Sequence, residues 1–136
     1  MEIKPQKSLI IIDPHLLISI GGKIPSGSLT SCPYAKFFIC NHLVSSDFTT
    51  DDYLRIQELI GSEDIEQLPV DAVEMNDLLG MRNHLVLYQI ASIAAARFYE
   101  CSFASDCCIL QRMARSVLSE DKVLGGSDIR RIISQI

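Results

Sequence analysis

The side chains able to do chemistry are spread thinly along this chain. Its histidines are His15, His42 and His84, and its cysteines are Cys32, Cys40, Cys101, Cys107 and Cys108. A zinc site needs several such ligands at close range, and sequences announce one by HExxH, CxxC or HxxxH spacing. None of these occurs; Cys40-Asn41-His42 is the nearest approach and lacks a second pair. A structural role is therefore expected for these residues. Cys107-Cys108 falls at an expected helix start, where the dipole lowers a thiol pKa. At most one of two adjacent helical side chains faces solvent fully, so a buried or inert pair is expected. No GxSxG marks a nucleophile elbow. The glycine loop at 21–31, GGKIPSGSLTS, contains neither GxGxxG nor GKS or GKT and reads as a linker. Six acids, Glu63, Asp64, Glu66, Asp71, Glu74 and Asp77, cluster without the spacing of a calcium loop, as a solvated face would. Arg112, Arg115, Arg130 and Arg131 form a small basic group near the C-terminus, expected to serve solubility or a salt-bridged partner surface.

The elements that would position these groups read mostly as helices. From Leu85 to Ala96 there is no charge, and apolar residues point in every direction of a helical wheel. Such a helix must be buried on several sides, so the stretch at 84–100 is expected at the centre of the fold. Its dozen uncharged residues fall short of the roughly 20 that a bilayer needs. Leu9 to Ile12 is a continuous apolar run, the pattern of a short buried strand. Asp13-Pro14 then predicts a helix start, with Asp as cap and Pro in the first turn, ending at Gly21-Gly22. Pro33 predicts a helix carrying Tyr34, Phe37, Phe38, Cys40 and Val44. Thr49 or Thr50 caps the next, with Asp51 and Asp52 in its first turn, Tyr53, Ile56, Leu59 and Ile60 on its apolar face, and Gly61 as its stop. Ser62 to Leu68 reads as one acidic helical turn and Val70 to Leu79 as a short amphipathic helix. Arg97 to Phe103, RFYECSF, fits either a helix extension or a strand. Ser105 and Ser127 predict caps for two final helices, the first bearing Ile109, Leu110, Met113 and Ala114, the second Ile129, Ile132 and Ile133. Residues 1–7 read as a solvated lead-in.

The chain has 136 residues, 48% hydrophobic and 21% charged, enough for one domain with a real core. A net charge of -5 argues against a nucleic-acid surface. An odd cysteine count and an N-terminus without a small-residue cleavage site predict a reducing cytoplasm.

Two families share features with the sequence. Met113 to Ile133 resembles the helical tail of membrane-anchored, ATP-dependent zinc metallopeptidases: an amphipathic helix (MARSVL), a polar link, then Leu124, Gly126, Asp128 and Ile129 opening a final helix. The segment Ala35 to Ile60, with Asp51-Asp52-Tyr53, resembles that family's helix pair. The catalytic HExxH has no match beyond Ile11 to His15, IIDPH, so the resemblance implies a non-catalytic scaffold. Separately, LIIID at 9–13 resembles the first strand of PIN-domain ribonucleases, ending in a metal-binding Asp. Glu58 in IQELI and Asp106 in FASD resemble the second and last acidic positions. This resemblance implies an α/β fold and three carboxylates, Asp13, Glu58 and Asp106, around Mg²⁺. It requires RFYECSF to be a strand, and it meets Asn83 and His84 where a further acid is expected.

The first expectation is thus a mainly α, single-domain helical bundle over 1–136 with a short N-terminal strand; the alternative is α/β of the PIN type. The function expected with it is non-catalytic, with no metal or cofactor: an interaction or regulatory domain. It would bind a protein partner or a second copy of itself through apolar helix faces, without nucleic acid or membrane. The alternative is a Mg²⁺-dependent ribonuclease using Asp13, Glu58 and Asp106. A third is a small inhibitor or immunity protein of a mobile element.

Overall fold

The strands decide this architecture, and they overturn the expected helical bundle. The computed structural model describes residues 8–21, 24, 27–30, 32–41, 48–78, 80 and 85–135. It holds a five-stranded, wholly parallel sheet in the order β3-β2-β1-β4-β5, with β1 at Ser8–Ile12, β2 at Ala35–Cys40, β3 at Ile65–Leu68, β4 at Ser102–Ala104 and β5 at Val123–Leu124. Helices α1 (Pro14–Gly21), α2 (Thr50–Gly61), α3 (Ala72–Asn76), α4 (Leu87–Phe98), α5 (Cys108–Arg115) and α6 (Gly126–Ser134) connect or follow the strands. No helix among the described residues is long and apolar enough to cross a membrane.

A parallel strand covered on both faces is apolar throughout, so it lacks the polar alternation that separates strand from helix. Here successive residues enter two cores. Ile10, Ile12, Phe37, Ile39, Ile65 and Ala104 meet Leu16, Leu17 and Ile20 of α1, Ile56 and Leu59 of α2 and Ile129 of α6. Ile11, Phe38, Cys40 and Phe103 meet Met75 of α3, Ile90 to Ala96 of α4 (Ser92 apart), and Leu110 and Ala114 of α5. Right-handed crossovers require this split: the chain winds outward from β1 to β3 on one face, then returns to β4 and β5 on the other. The segment expected as a helix from Pro33 is therefore β2. The acidic turn at 62–68 contains β3, whose Glu66 pairs with Lys36 at 2.8 Å. The ambiguous stretch at 97–103 resolves into a helix end and β4. Val44, Asn83, His42, His84 and residues 1–7, also read in the sequence, lie outside the described residues.

The uncharged helix is real and runs Leu87–Phe98, with Tyr88 and Ile90 to Ala96 buried. It covers one face of the sheet rather than forming the axis of a bundle. Caps follow the sequence closely in places. Thr49 and Asp52 form a reciprocal capping box on α2, as do Asp71 and Glu74 on α3. Elsewhere the boundary moves: α6 begins at Gly126, where the Gly125 N–H donates to the Asp128 carboxylate at 2.9 Å.

Helix α2 runs through Gly61 and turns at Glu63; α4 turns at Glu100. Both glutamates take left-handed backbone, φ 63° and 56°. The hydrogen bonds Asp64 N to Leu59 O and Glu63 N to Ile60 O, matched by Cys101 N to Ala96 O and Glu100 N to Arg97 O, form two Schellman turns. Left-handed backbone is strained for any residue with a Cβ. Glu100→Gly should therefore raise the unfolding free energy by about 1 kcal/mol in chemical denaturation. A lowered midpoint would show that the glutamate side chain contributes more than the turn's strain removes.

Candidate functional site

The strand order reverses between β1 and β4. The chain leaves β1 towards one face and β4 towards the other, and in open α/β sheets the crevice beyond such strand ends is where ligands bind. Each of these two strands is followed by an aspartate. Asp13 continues β1: its N–H donates to Ala104 O at 2.9 Å, and its carbonyl accepts from Leu17 N at 3.0 Å, opening α1. Its Oδ1 accepts from the His15 N–H at 3.4 Å and its Oδ2 from the Ser105 hydroxyl at 2.9 Å. Only 2% of Asp13 is exposed. Ser105 is also an acceptor, from Cys107 N at 3.0 Å. The serine expected as a helix cap thus holds the entry to α5, which begins at Cys108 after its N-cap Cys107, while binding the end of β1.

Asp106 follows Ser105. Its Oδ1 accepts from Gly126 N at 2.7 Å and its Oδ2 from Arg130 Nη2 at 3.1 Å. A Cβ on Gly126 would overlap this carboxylate, so any other residue there would have to displace the Asp106 side chain from its bond to the Gly126 N–H. Asp13, His15, Ser19, Gln89, Asp106 and Cys107 line one cleft of about 470 Å³. Burial pushes the Asp13 carboxyl above the ordinary carboxylate value, and the Asp106 charge adds to the effect. The Ser105 hydroxyl, the His15 N–H and the imidazole charge pull the other way without overcoming it.

Of the residues implied by the PIN resemblance, Asp13 and Asp106 meet in this cleft and Glu58 does not line it. Glu58 lies on α2 with 65% of its side chain exposed, paired to Arg55 Nη1 at 3.0 Å. No group of three or more His, Cys, Asp or Glu residues that could hold a metal ion is found among the described residues. The acidic cluster disperses: Asp77 pairs with Arg97, Asp71 and Glu74 cap α3, and Asp64 is buried rather than solvated. Asp64 accepts from Gly27 N and Leu29 N at 2.8 Å each and from the Ser62 hydroxyl. Burial works against its charge, but the Ser62 hydroxyl and the N–H groups of Gly27, Leu29 and Thr30 outweigh it and hold the carboxyl below its ordinary range. Cys107 and Cys108 are both exposed, which rules out burial, one half of the buried or inert reading. Cys40 is buried against Ser92.

A larger cavity, about 530 Å³, lies at the opposite end of the sheet, near the start of β2 and β3. Its charged lining includes the Lys36–Glu66 pair and the saturated Asp64, so it lacks a converging reactive pair. Ser105, His15, Gly126 and Arg130 were not singled out as site residues in the sequence. Adjacency was the available signal, since Ser105 directly precedes Asp106 and His15 follows Asp13 by two. Comparison with known protein families, curated proteins and solved structures finds no match to this chain.

The raised Asp13 pKa has a definite sign for stability. Between its unfolded value, about 3.9, and its higher folded value, the folded state holds more protons than the unfolded one. Stability therefore falls as pH rises through that window, and the penalty is complete above it. Asn caps a helix as well as Asp and carries no charge. Asp13→Asn should melt above the wild type at pH 7, with the difference shrinking towards pH 4. A variant that melts lower at pH 7 would mean that the ionised carboxylate is favourable where it stands.

Proposed function

We propose that the Asp13–Asp106 cleft is the active site of a Mg²⁺-dependent ribonuclease. The observation carrying this reading is the pair of carboxylates beyond the carboxyl ends of adjacent parallel strands, one buried and one half-exposed, lining a shared cleft. Like charges facing a crevice at the point where strand order reverses are stabilised by a cation between them. The PIN resemblance requires RFYECSF to be a strand in an α/β sheet; the parallel α/β sheet supports it, but of that stretch Ser102 and Phe103 alone enter β4, while Arg97 and Phe98 end α4.

The donor set fits this ion. Mg²⁺ is commonly held by one or two carboxylates, with water and substrate phosphate completing its octahedron. Glu58 is not needed for that arrangement. When bound, Mg²⁺ would neutralise charge developing on a phosphodiester and lower the pKa of coordinated water. The chain's own residues supply the rest. Ser105 fixes Asp13 against β4, and the Gly126 N–H fixes one oxygen of Asp106 while Arg130 neutralises the other. Arg130 also brings a cationic, half-exposed guanidinium to the carboxylate that would face the phosphate. The overall charge of -5 opposes a polyanion at long range. Beyond about 8 Å at physiological ionic strength that opposition is largely screened, so local groups decide.

The test is cleavage of single-stranded RNA with Mg²⁺ or Mn²⁺, compared with EDTA and with Asp106→Asn. Activity should require the metal and fall by more than about 100-fold in the variant, the upper end for changes one shell further out. The metal should also raise the wild-type melting temperature, as any ligand specific to the folded state must. Metal-independent cleavage would overturn the reading. So would an absence of both cleavage and metal-induced stabilisation, which would return the protein to the non-catalytic interaction role.

A further inference from the structure

Four rings meet in one cluster, and one of them, His15, lines the same cleft. His15, in the first turn of α1, has its centroid 4.9 Å from Phe48 and 5.9 Å from Tyr88, at interplanar angles of 46° and 52°. Phe48 lies 5.1 Å from Tyr88 and 5.7 Å from Tyr53. These rings come from the first turn of α1, the approach to α2 and the starts of α2 and α4. Phe48 and Tyr88 are buried, and His15 is exposed and lines the cleft with Asp13 and Asp106. The outcome is an imidazole backed by two buried aromatic rings and presented beside two carboxylates.

Phe48 and Tyr88 are buried against each other, and His15 carries the cluster out to the cleft. A backed ring at the edge of a polar crevice is what an unpaired nucleobase recognises. Every base has a π-face, so stacking on an aromatic side chain is strong without reading sequence. A base inside a duplex has its faces occupied by its neighbours, whereas single-stranded RNA can present one.

We infer that His15 is the stacking platform for an unpaired base next to the phosphate that the Asp13–Asp106 cleft would hold. This rests on the ribonuclease reading for the place of the phosphate, and it deepens that reading by naming what binds beside it. His15 contributes through its ring face. Tyrosine should therefore replace it, and an aliphatic side chain should not.

The experiment measures binding of a short 2′-O-methyl RNA by fluorescence anisotropy in the presence of Mg²⁺, with the oligonucleotide checked on a gel for integrity after each reading. His15→Leu retains apolar contact with Phe48 and serves beside His15→Ala in case the smaller residue disturbs the cluster. Both should weaken binding by at least about fivefold, and His15→Tyr should stay within about twofold of the wild type. An oligonucleotide lacking bases should bind all four proteins equally. Equal binding of the based RNA by wild type and His15→Leu overturns the stacking role. Loss in His15→Tyr as large as in His15→Leu overturns it too, because the ring face would then not be the determinant. The two claims fail separately. Metal-dependent cleavage with RNA binding indifferent to position 15 removes the stacking claim alone, whereas binding that depends on an aromatic ring without any cleavage removes the nuclease alone.

Discussion

Strand β1 must be buried on both faces, and the rest of the molecule follows from that constraint. Ile10, Ile11 and Ile12 are at most 1% exposed, and they alternate between two separate cores. Their backbone groups are used on both sides, by β2 and by β4. A strand in this position needs helices on each face, which requires crossovers that diverge from it. The crevice at its carboxyl end is therefore a by-product of burying its side chains. Asp13 is the first residue after that strand, so a segment buried on both faces delivers a carboxylate into that crevice.

Two buried aspartates show how differently the fold treats the same side chain. Asp64 and Asp13 are 3% and 2% exposed. Asp64 receives backbone N–H donors from the 27–30 loop and the Ser62 hydroxyl, and its charge is welcome. It ties that loop to the turn between α2 and β3, a structural role complete in itself. Asp13 receives fewer donors and faces the charge of Asp106, and its ionised form is disfavoured. Perturbed carboxylates in clefts are enriched at functional sites because catalytic groups are often held where their own stability would not place them. The contrast separates a carboxylate whose charge the fold favours from one whose charge it disfavours.

The sequence disclosed caps better than strands. Asp13-Pro14, Thr49 with Asp52, and Gly21 act within a few residues of themselves, and their physical signal is local. AKFFIC gives no such signal. Its apolar residues fit a helix until the pairing Phe37 to Ile10 and Phe38 to Ile11 assigns alternate side chains to different cores. Strands β3 and β5, of four and two residues, are specified almost wholly by their neighbours in the sheet. The PIN resemblance names Asp13, Glu58 and Asp106; Asp13 and Asp106 line one cleft, and Glu58 stands exposed on α2. The Ser105–Asp13 bond joins residues 92 apart, and Arg130 reaches Asp106 across 24. Such partnerships exist only after the sheet forms, so periodicity and capping rules do not reach them.

The account turns on whether Asp13 and Asp106 together hold a divalent cation. The most direct measurement is anomalous diffraction from a crystal grown with Mn²⁺. The account predicts a single strong peak touching both carboxylates, with the Arg130–Asp106 pair loosened to admit it. A Mn²⁺-saturated crystal with no peak there, Asp13 still bonded to Ser105 and Asp106 still held by Arg130, would contradict it.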